Sequence, residues 1–233
     1  MFAYPERARK DRVLPKIKIY GNARLTTALR QRFVTEIDQI IWRYVLGPEN
    51  LNLPARGPVQ EIQVFEITLK TGNLREDVLR TIDRAIPSLL FFELTFQERV
   101  RFAAAYKRVS DADATQTVVD TYFETPWQDA AAPRQPMPVA LHMAGLYEQM
   151  LRQHMAASPL ALRPRAGETL QETVDRGNRI RVRRRECKQL EAKLRRETQF
   201  NRKVEINGDL RRCQMALAAL ESAEATPILP SIT

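Results

Sequence analysis

Clustered cations are the residues of this chain best suited to recognition chemistry. Residues 163–212 hold 16 Lys/Arg against eight Asp/Glu, a net of +8. Within that block stand Arg179, Arg181, Arg183, Arg184, Arg185, Lys188, Arg195, Arg196, Arg202 and Lys203. Lys/Arg clustering of this kind is the footprint expected of a nucleic-acid or acidic-protein partner. A solvated helix face is the plain alternative. The block contains one aromatic residue, Phe200. Stacking on bases needs aromatic platforms, so phosphate contacts are expected rather than base readout.

Catalytic chemistry finds little support. The eight glycines form neither GxGxxG nor GxxxxGK[ST], and there is no GxSxG elbow. His142 and His154 lie 12 residues apart, whereas a helical metal pair wants three or four. Cys187 has no histidine near it in sequence, so a catalytic thiol is not expected. One enzymatic reading merits a test, a metal-dependent or degenerate nuclease of the restriction type built on Glu66 and Glu93. Such a site needs an acid on one strand and (D/E)-x-K on the next, to hold a divalent ion and orient water. Two positions after these glutamates stand Thr68 and Thr95. The plain expectation is that an edge of a sheet faces solvent at Glu66 and Glu93. No catalytic residue, metal or cofactor is expected, and no small-molecule ligand.

These residues must be positioned by the following elements. Residues 1–13 read as a flexible basic arm. From Thr26, Phe33, Ile37, Ile40, Ile41, Tyr44 and Val45 share one face of a helix, which Gly47-Pro48 stops. Glu61–Lys70 reads as an interior strand with Phe65, Ile67 and Leu69 on one face and Ile62 and Val64 on the other. A short helix ends before Pro87. Strands follow at Leu89–Phe96, Val100–Arg108 and Val118–Glu124. The strand–helix–strand unit should be parallel and the last three strands an antiparallel meander. The expected fold is therefore α+β over 14–125: a small mixed sheet with flanking helices. A Pro/Ala linker at 126–138 and a helix at 139–157 come next.

A long C-terminal helical hairpin of coiled-coil type is expected over 166–222, then a loose tail at 223–233. Residue numbers of constant sum face each other in an antiparallel pair. Ile180 and Leu220, Cys187 and Cys213, Leu190 and Leu210, and Leu194 and Ile206 all sum to 400. Their spacings are those of a heptad seam. The turn near Thr198-Gln199-Phe200-Asn201 lacks Gly and Pro, which leaves a parallel dimer of straight helices, a self-associating coiled coil without a nucleic-acid role, as a third reading.

Composition bounds the rest. The chain has 233 residues, 44% hydrophobic content and a net charge of +9, enough apolar residues for a core. Two cysteines exclude a disulfide scaffold, and no apolar run reaches the length of a membrane span. The charged N-terminus, MFAYPERARKDR, does not read as a secretory signal. A cytoplasmic location with reduced thiols is expected.

Several stretches resemble a bacterial protein family of unknown function. They include Phe33-Val34-Thr35-Glu36-Ile37-Asp38-Gln39-Ile40-Ile41-Trp42, Val59-Gln60-Glu61-Ile62-Gln63-Val64-Phe65-Glu66-Ile67, Ile82-Asp83-Arg84-Ala85-Ile86-Pro87 and Gln199-Phe200-Asn201-Arg202-Lys203-Val204-Glu205-Ile206-Asn207. The likeness runs from about residue 14 to 220. Members of that family tend to be encoded beside a helicase and a DNA methyltransferase, in restriction-like phage-defence loci. The resemblance implies a non-enzymatic accessory or scaffold subunit. Its partner would be a helicase-like or other large defence-system protein, with the DNA backbone as a further contact, and no membrane. It implies no catalytic residue.

Overall fold

The structure is a computed structural model that describes residues 2–22, 25–109 and 117–222. The tail expected at 223–233 lies outside the described residues. The chain divides into two compact units, Met1–Ala161 and Leu162–Thr233.

The first unit is built on a seven-stranded sheet. Its strands are β2 (Arg9–Val13), β3 (Ile37–Leu46), β4 (Ile62–Leu69), β5 (Leu89–Phe96), β6 (Arg99–Val109) and β7 (Thr117–Glu124), paired in that order, with β8 (Gln128–Asp129) also on β6. Only β4 and β5 run parallel, joined through helix α4 (Glu76–Ala85), and β5, β6 and β7 form the antiparallel meander. A separate two-stranded parallel pairing joins β1 (Phe2–Ala3) to β9 (Gln135–Pro136). The expected α+β class and mixed sheet are what the chain forms.

Period-two alternation decides which side chains meet. One face of the sheet carries Phe65, Ile67, Phe92, Leu94, Ala103 and Ala105. Helices α1 (Lys16–Asn22), α2 (Thr27–Glu36) and α4 lend Ile19, Phe33, Val78, Leu79 and Ile82 to the same core, and the one-turn helix α3 (Pro48–Leu51) follows β3. The opposite face carries Phe91, Glu93 and Phe102. There α5 (Met143–Ala157) packs its buried Met143, Leu146, Tyr147, Met150 and Leu151, with the Tyr147 ring edge-on to Phe91 at 6.1 Å.

Four expectations are corrected by this architecture. The helix read from Thr26 to Val45 stops at Glu36, and Ile37–Leu46 is a strand between β2 and β4. Register shifts in β3, between Ile37 and Gln39 and between Trp42 and Tyr44, break its alternation. The apolar spacing of three and four that results mimics a helix. Residues 9–13 are not a free arm, because they hydrogen-bond along β3. Nor is 126–138 a free linker: β8 and β9 fasten it to β6 and β1. Glu66 and Glu93 stand in register on the two parallel strands in the middle of the sheet, not at a solvent-facing edge.

A buried cation closes the crossover. Lys107 Nζ donates to the carbonyl oxygens of Asp83 (2.9 Å), Ile86 (2.9 Å) and Ser88 (2.7 Å), and pairs with the Asp83 carboxylate at 2.9 Å. It thereby satisfies backbone at and just beyond the C-terminus of α4, where a positive charge also meets the helix dipole favourably. The Tyr122 hydroxyl donates to the same carboxylate. A register shift between Ala105 and Lys107 loosens the β6–β7 ladder there. The Tyr147 hydroxyl takes up the slack, accepting from Lys107 N at 3.2 Å and donating to Ala105 O at 3.3 Å.

Candidate functional site

The second unit is the helical hairpin, α6 (Leu170–Arg196) and α7 (Phe200–Glu221). A capping box starts α6: Thr169 Oγ1 accepts from Glu172 N at 3.2 Å, and Glu172 Oε2 accepts from Thr169 N at 2.8 Å. The Arg165 guanidinium donates to the carbonyls of Ala219, Leu220 and Ser222 and so satisfies the end of α7. Arg176 is bound by Glu168 at 2.7 and 2.8 Å.

The expected seam is formed within one chain. Cys187, Leu210 and Cys213 are its buried centre, flanked by Leu190, Leu194 and Leu217. This places the apolar stripe inside a hairpin rather than a parallel dimer of straight helices. The turn needs no left-handed residue. Glu197 is extended, and its carboxylate accepts from the backbone N of Thr198 (2.8 Å) and Gln199 (2.9 Å). Those two contacts hold the turn without a glycine. Cys187 and Cys213 are joined as a disulfide with Cα atoms 5.9 Å apart, so the expectation of two reduced thiols is corrected. The physical reason is the heptad register, which sets the two sulfurs opposite each other.

Closing the hairpin sorts its charges onto two broad faces. Helical positions three, four and seven apart share a side. Arg181, Arg184, Arg185, Lys188 and Arg195 follow that spacing on one flank of α6, with Arg196 at its margin and one acidic residue, Glu191, among them. The Arg184–Glu221 ion pair, 2.7 Å, fixes which side of α7 adjoins them, and Lys203 falls on that side of α7. The opposite face holds Arg183, Glu186, Lys193, Asp209 and Arg212 around one shallow cavity, with the pairs Arg183–Glu186 and Arg212–Asp209. Arg179 also lies on this mixed side, and Arg202 points along the seam. The ten cations singled out in the sequence are thus not one patch. Arg185, Lys188, Arg195 and Arg196 are exposed and make no ion pair among the described residues. From Arg181 to Arg195 the basic flank spans about 21 Å at 1.5 Å per residue.

Glu66 and Glu93, by contrast, are each held by an arginine. Arg43 binds Glu66 through Nε (2.8 Å) and Nη2 (3.0 Å), and reaches Asp11 at 2.9 Å. Arg134 binds Glu93 with two contacts of 3.1 Å and also donates to the carbonyl of Phe2. Burial pushes the Glu93 carboxyl up, and the Arg134 charge opposes it. Neither arginine is near its glutamate in sequence, so only the sheet register could reveal these pairs. Among the described residues no group of three His, Cys, Asp or Glu side chains could hold a metal ion. No helix among them is long and apolar enough to cross a membrane.

The two histidines divide. His142 caps α5, its Nδ1 accepting from Gly145 N at 2.9 Å. His154 is buried on the face of α5 that meets Phe91 and Phe102. Burial brings its imidazole down to about 4. The unfolded chain, with an ordinary histidine near 6.5, then binds more protons than the folded one between those values. Stability is therefore complete above pH 6.5 and falls as the pH drops. Between pH 7 and pH 5 the wild-type chain should lose about 2 kcal/mol through this group. His154→Leu should remove that increment in urea melts at the two pH values. An equal loss in both proteins would place the acid sensitivity elsewhere.

Residues 2–217 match the family described as Domain of unknown function (DUF4391). The chain belongs to that family. The DUF4391 match takes in the whole sheet unit and the hairpin as far as Leu217, so both units belong to it. No curated protein and no solved structure matches the chain.

Proposed function

We propose that this DUF4391 chain is a non-enzymatic accessory subunit of a bacterial, restriction-like anti-phage system. In this reading it binds a helicase-like partner and lays the basic face of its hairpin along the DNA backbone. The observation that carries the reading is the sorting of charge: Arg181, Arg184, Arg185, Lys188 and Arg195 against the single Glu191 on one flank of α6, evenly mixed charges on the other. A stripe of about 21 Å matches roughly six base pairs of duplex at 3.4 Å per phosphate along a strand. A row of cations without aromatic neighbours suits phosphates rather than base edges. The choice of system and partner rests on the resemblance drawn from the sequence, which implies a helicase and a methyltransferase encoded nearby.

The test is salt-dependent binding of duplex DNA by the full chain. Changing Arg185, Lys188, Arg195 and Arg196 together to Ala should lower affinity and flatten the salt slope by about 0.9 for each phosphate no longer neutralised. Arg179→Ala with Lys193→Ala, on the mixed face, should leave both nearly unchanged. Equal effects from the two sets would overturn the basic-face reading. Co-purification with a helicase-like partner should persist in both sets, because the basic face is assigned to DNA. Incubation of the same DNA with Mg²⁺ covers the nuclease alternative: cleavage that disappears in Glu66→Ala and Glu93→Ala would replace the non-enzymatic reading.

A further inference from the structure

We infer that the sheet unit has a binding pocket for a nucleobase, a flat uncharged ring with N–H donors on its edge. This inference is independent of the hairpin's proposed role. The pocket, about 440 Å³, lies on the α5 side of the sheet. That volume is within the usual range for small-molecule sites, roughly 300–1,000 Å³. Its walls are aromatic: Phe2, Tyr4, Phe91, Phe102 and Trp127 all line it. Every base has a π-face, so a slot of this kind accepts any of them by stacking. Trp127 is already held in place on one face by the Arg101 guanidinium, 4.9 Å from its centroid.

The polar groups of the pocket are matched to the edge of such a ring. His154 is 7% exposed, and its Nε2 is buried without a hydrogen-bond partner. A buried acceptor left empty is destabilising, and a ligand N–H would satisfy it. Gln128, Gln135 and Gln153 add three side-chain amides at the wall, each able to donate and accept. Glutamine amides pair with base edges in this way elsewhere in recognition.

Charge narrows the ligand further. No Lys or Arg is among the lining residues. Two guanidiniums next to lining residues are already engaged, Arg134 by Glu93 and the Phe2 carbonyl and Arg101 by Glu124. Nothing in the lining would neutralise a phosphate, so the base is what the pocket selects. That base could come from a free nucleoside or from a single strand.

The experiment is calorimetric titration of the full chain with adenosine, guanosine, cytidine and uridine. In parallel, short single-stranded oligonucleotides are titrated into the variant lacking Arg185, Lys188, Arg195 and Arg196, so that the hairpin does not contribute. His154→Leu removes the acceptor. Ala157→Phe, at an exposed position of the pocket rim, fills the space without touching the core. Saturable nucleoside binding weakened about tenfold or more by both variants supports the pocket and a free ligand. Binding of oligonucleotides alone, weakened by the same variants, supports the pocket and a base presented by a strand. The proposal is overturned by the absence of saturable binding in both arms. It is equally overturned by binding that neither variant moves. Should His154→Leu fail to fold, Ala157→Phe decides alone.

Discussion

Lys107→Met is expected to cost the sheet unit about 3–5 kcal/mol, the range for breaking a buried ion pair by removing one partner. The side chains of Lys107 and Asp83 are 2% and 1% exposed. Burial by itself would pull the lysine down and the aspartic acid up. Geometry keeps the lysine charged, because four oxygens surround Nζ and only an ammonium can offer three N–H donors. Methionine fills a similar volume but leaves the Asp83 carboxylate with the Tyr122 hydroxyl as its remaining close donor among these groups. It also strips the carbonyls of Asp83, Ile86 and Ser88 of their partner. Urea denaturation should show a lower midpoint with an unchanged slope. Combining Lys107→Met with Asp83→Leu should recover part of the loss, since two apolar groups replace an ion pair more cheaply than one orphaned charge. A loss below about 1 kcal/mol in Lys107→Met would show that water reaches the site and that the pair is not structural.

A chain ending at Pro126 is expected to aggregate without a cooperative melt, whereas one ending at Ala161 should unfold cooperatively. The region 14–125 has strands and helices enough to suggest independence, but its sheet has two apolar faces. Helices α1, α2 and α4 cover one. The other is covered by α5, whose Met143, Leu146, Met150, Leu151 and Met155 are fully buried. Burying each such side chain is worth roughly 1.5–3 kcal/mol, so together they approach the 5–15 kcal/mol that stabilises a typical domain. Removing α5 would also release the Tyr147 hydroxyl from β6 and expose Phe91 and Phe102. Circular dichroism melts of the two truncated chains decide the matter. A cooperative transition in the shorter one would show that the helix-covered face suffices.

The two outcomes separate what local pattern carries from what packing carries. β5 is legible to the residue, because Leu89–Phe96 is an unbroken strand-forming run between turn signals. β4 and α4 are legible for similar reasons. The hairpin is legible from arithmetic on its seam, since antiparallel helices oppose residues of constant sum and the heptad repeat survives in sequence. Its turn is not, because a glutamate carboxylate that holds the backbone N–H groups of the two turn residues leaves no glycine to read. β3 passes for a helix because two register shifts turn its alternation into a helix-like spacing, and the bulges exist only where β4 lies beside it. The candidate sites divide in the same way. Ten cations in one block can be read directly, but their separation into a basic face and a mixed face depends on which flank of α6 adjoins which flank of α7. The arginines that neutralise Glu66 and Glu93 come from 23 and 41 residues away. The aromatic pocket gathers Phe2, Phe91, Trp127 and His154 from four separate segments. Periodicity is written in the order of the amino acids, and with it most of the strands, the helices and the seam. Partnerships across the sheet and across the hairpin arise only on folding, because they depend on register, and register is a property of two segments at once.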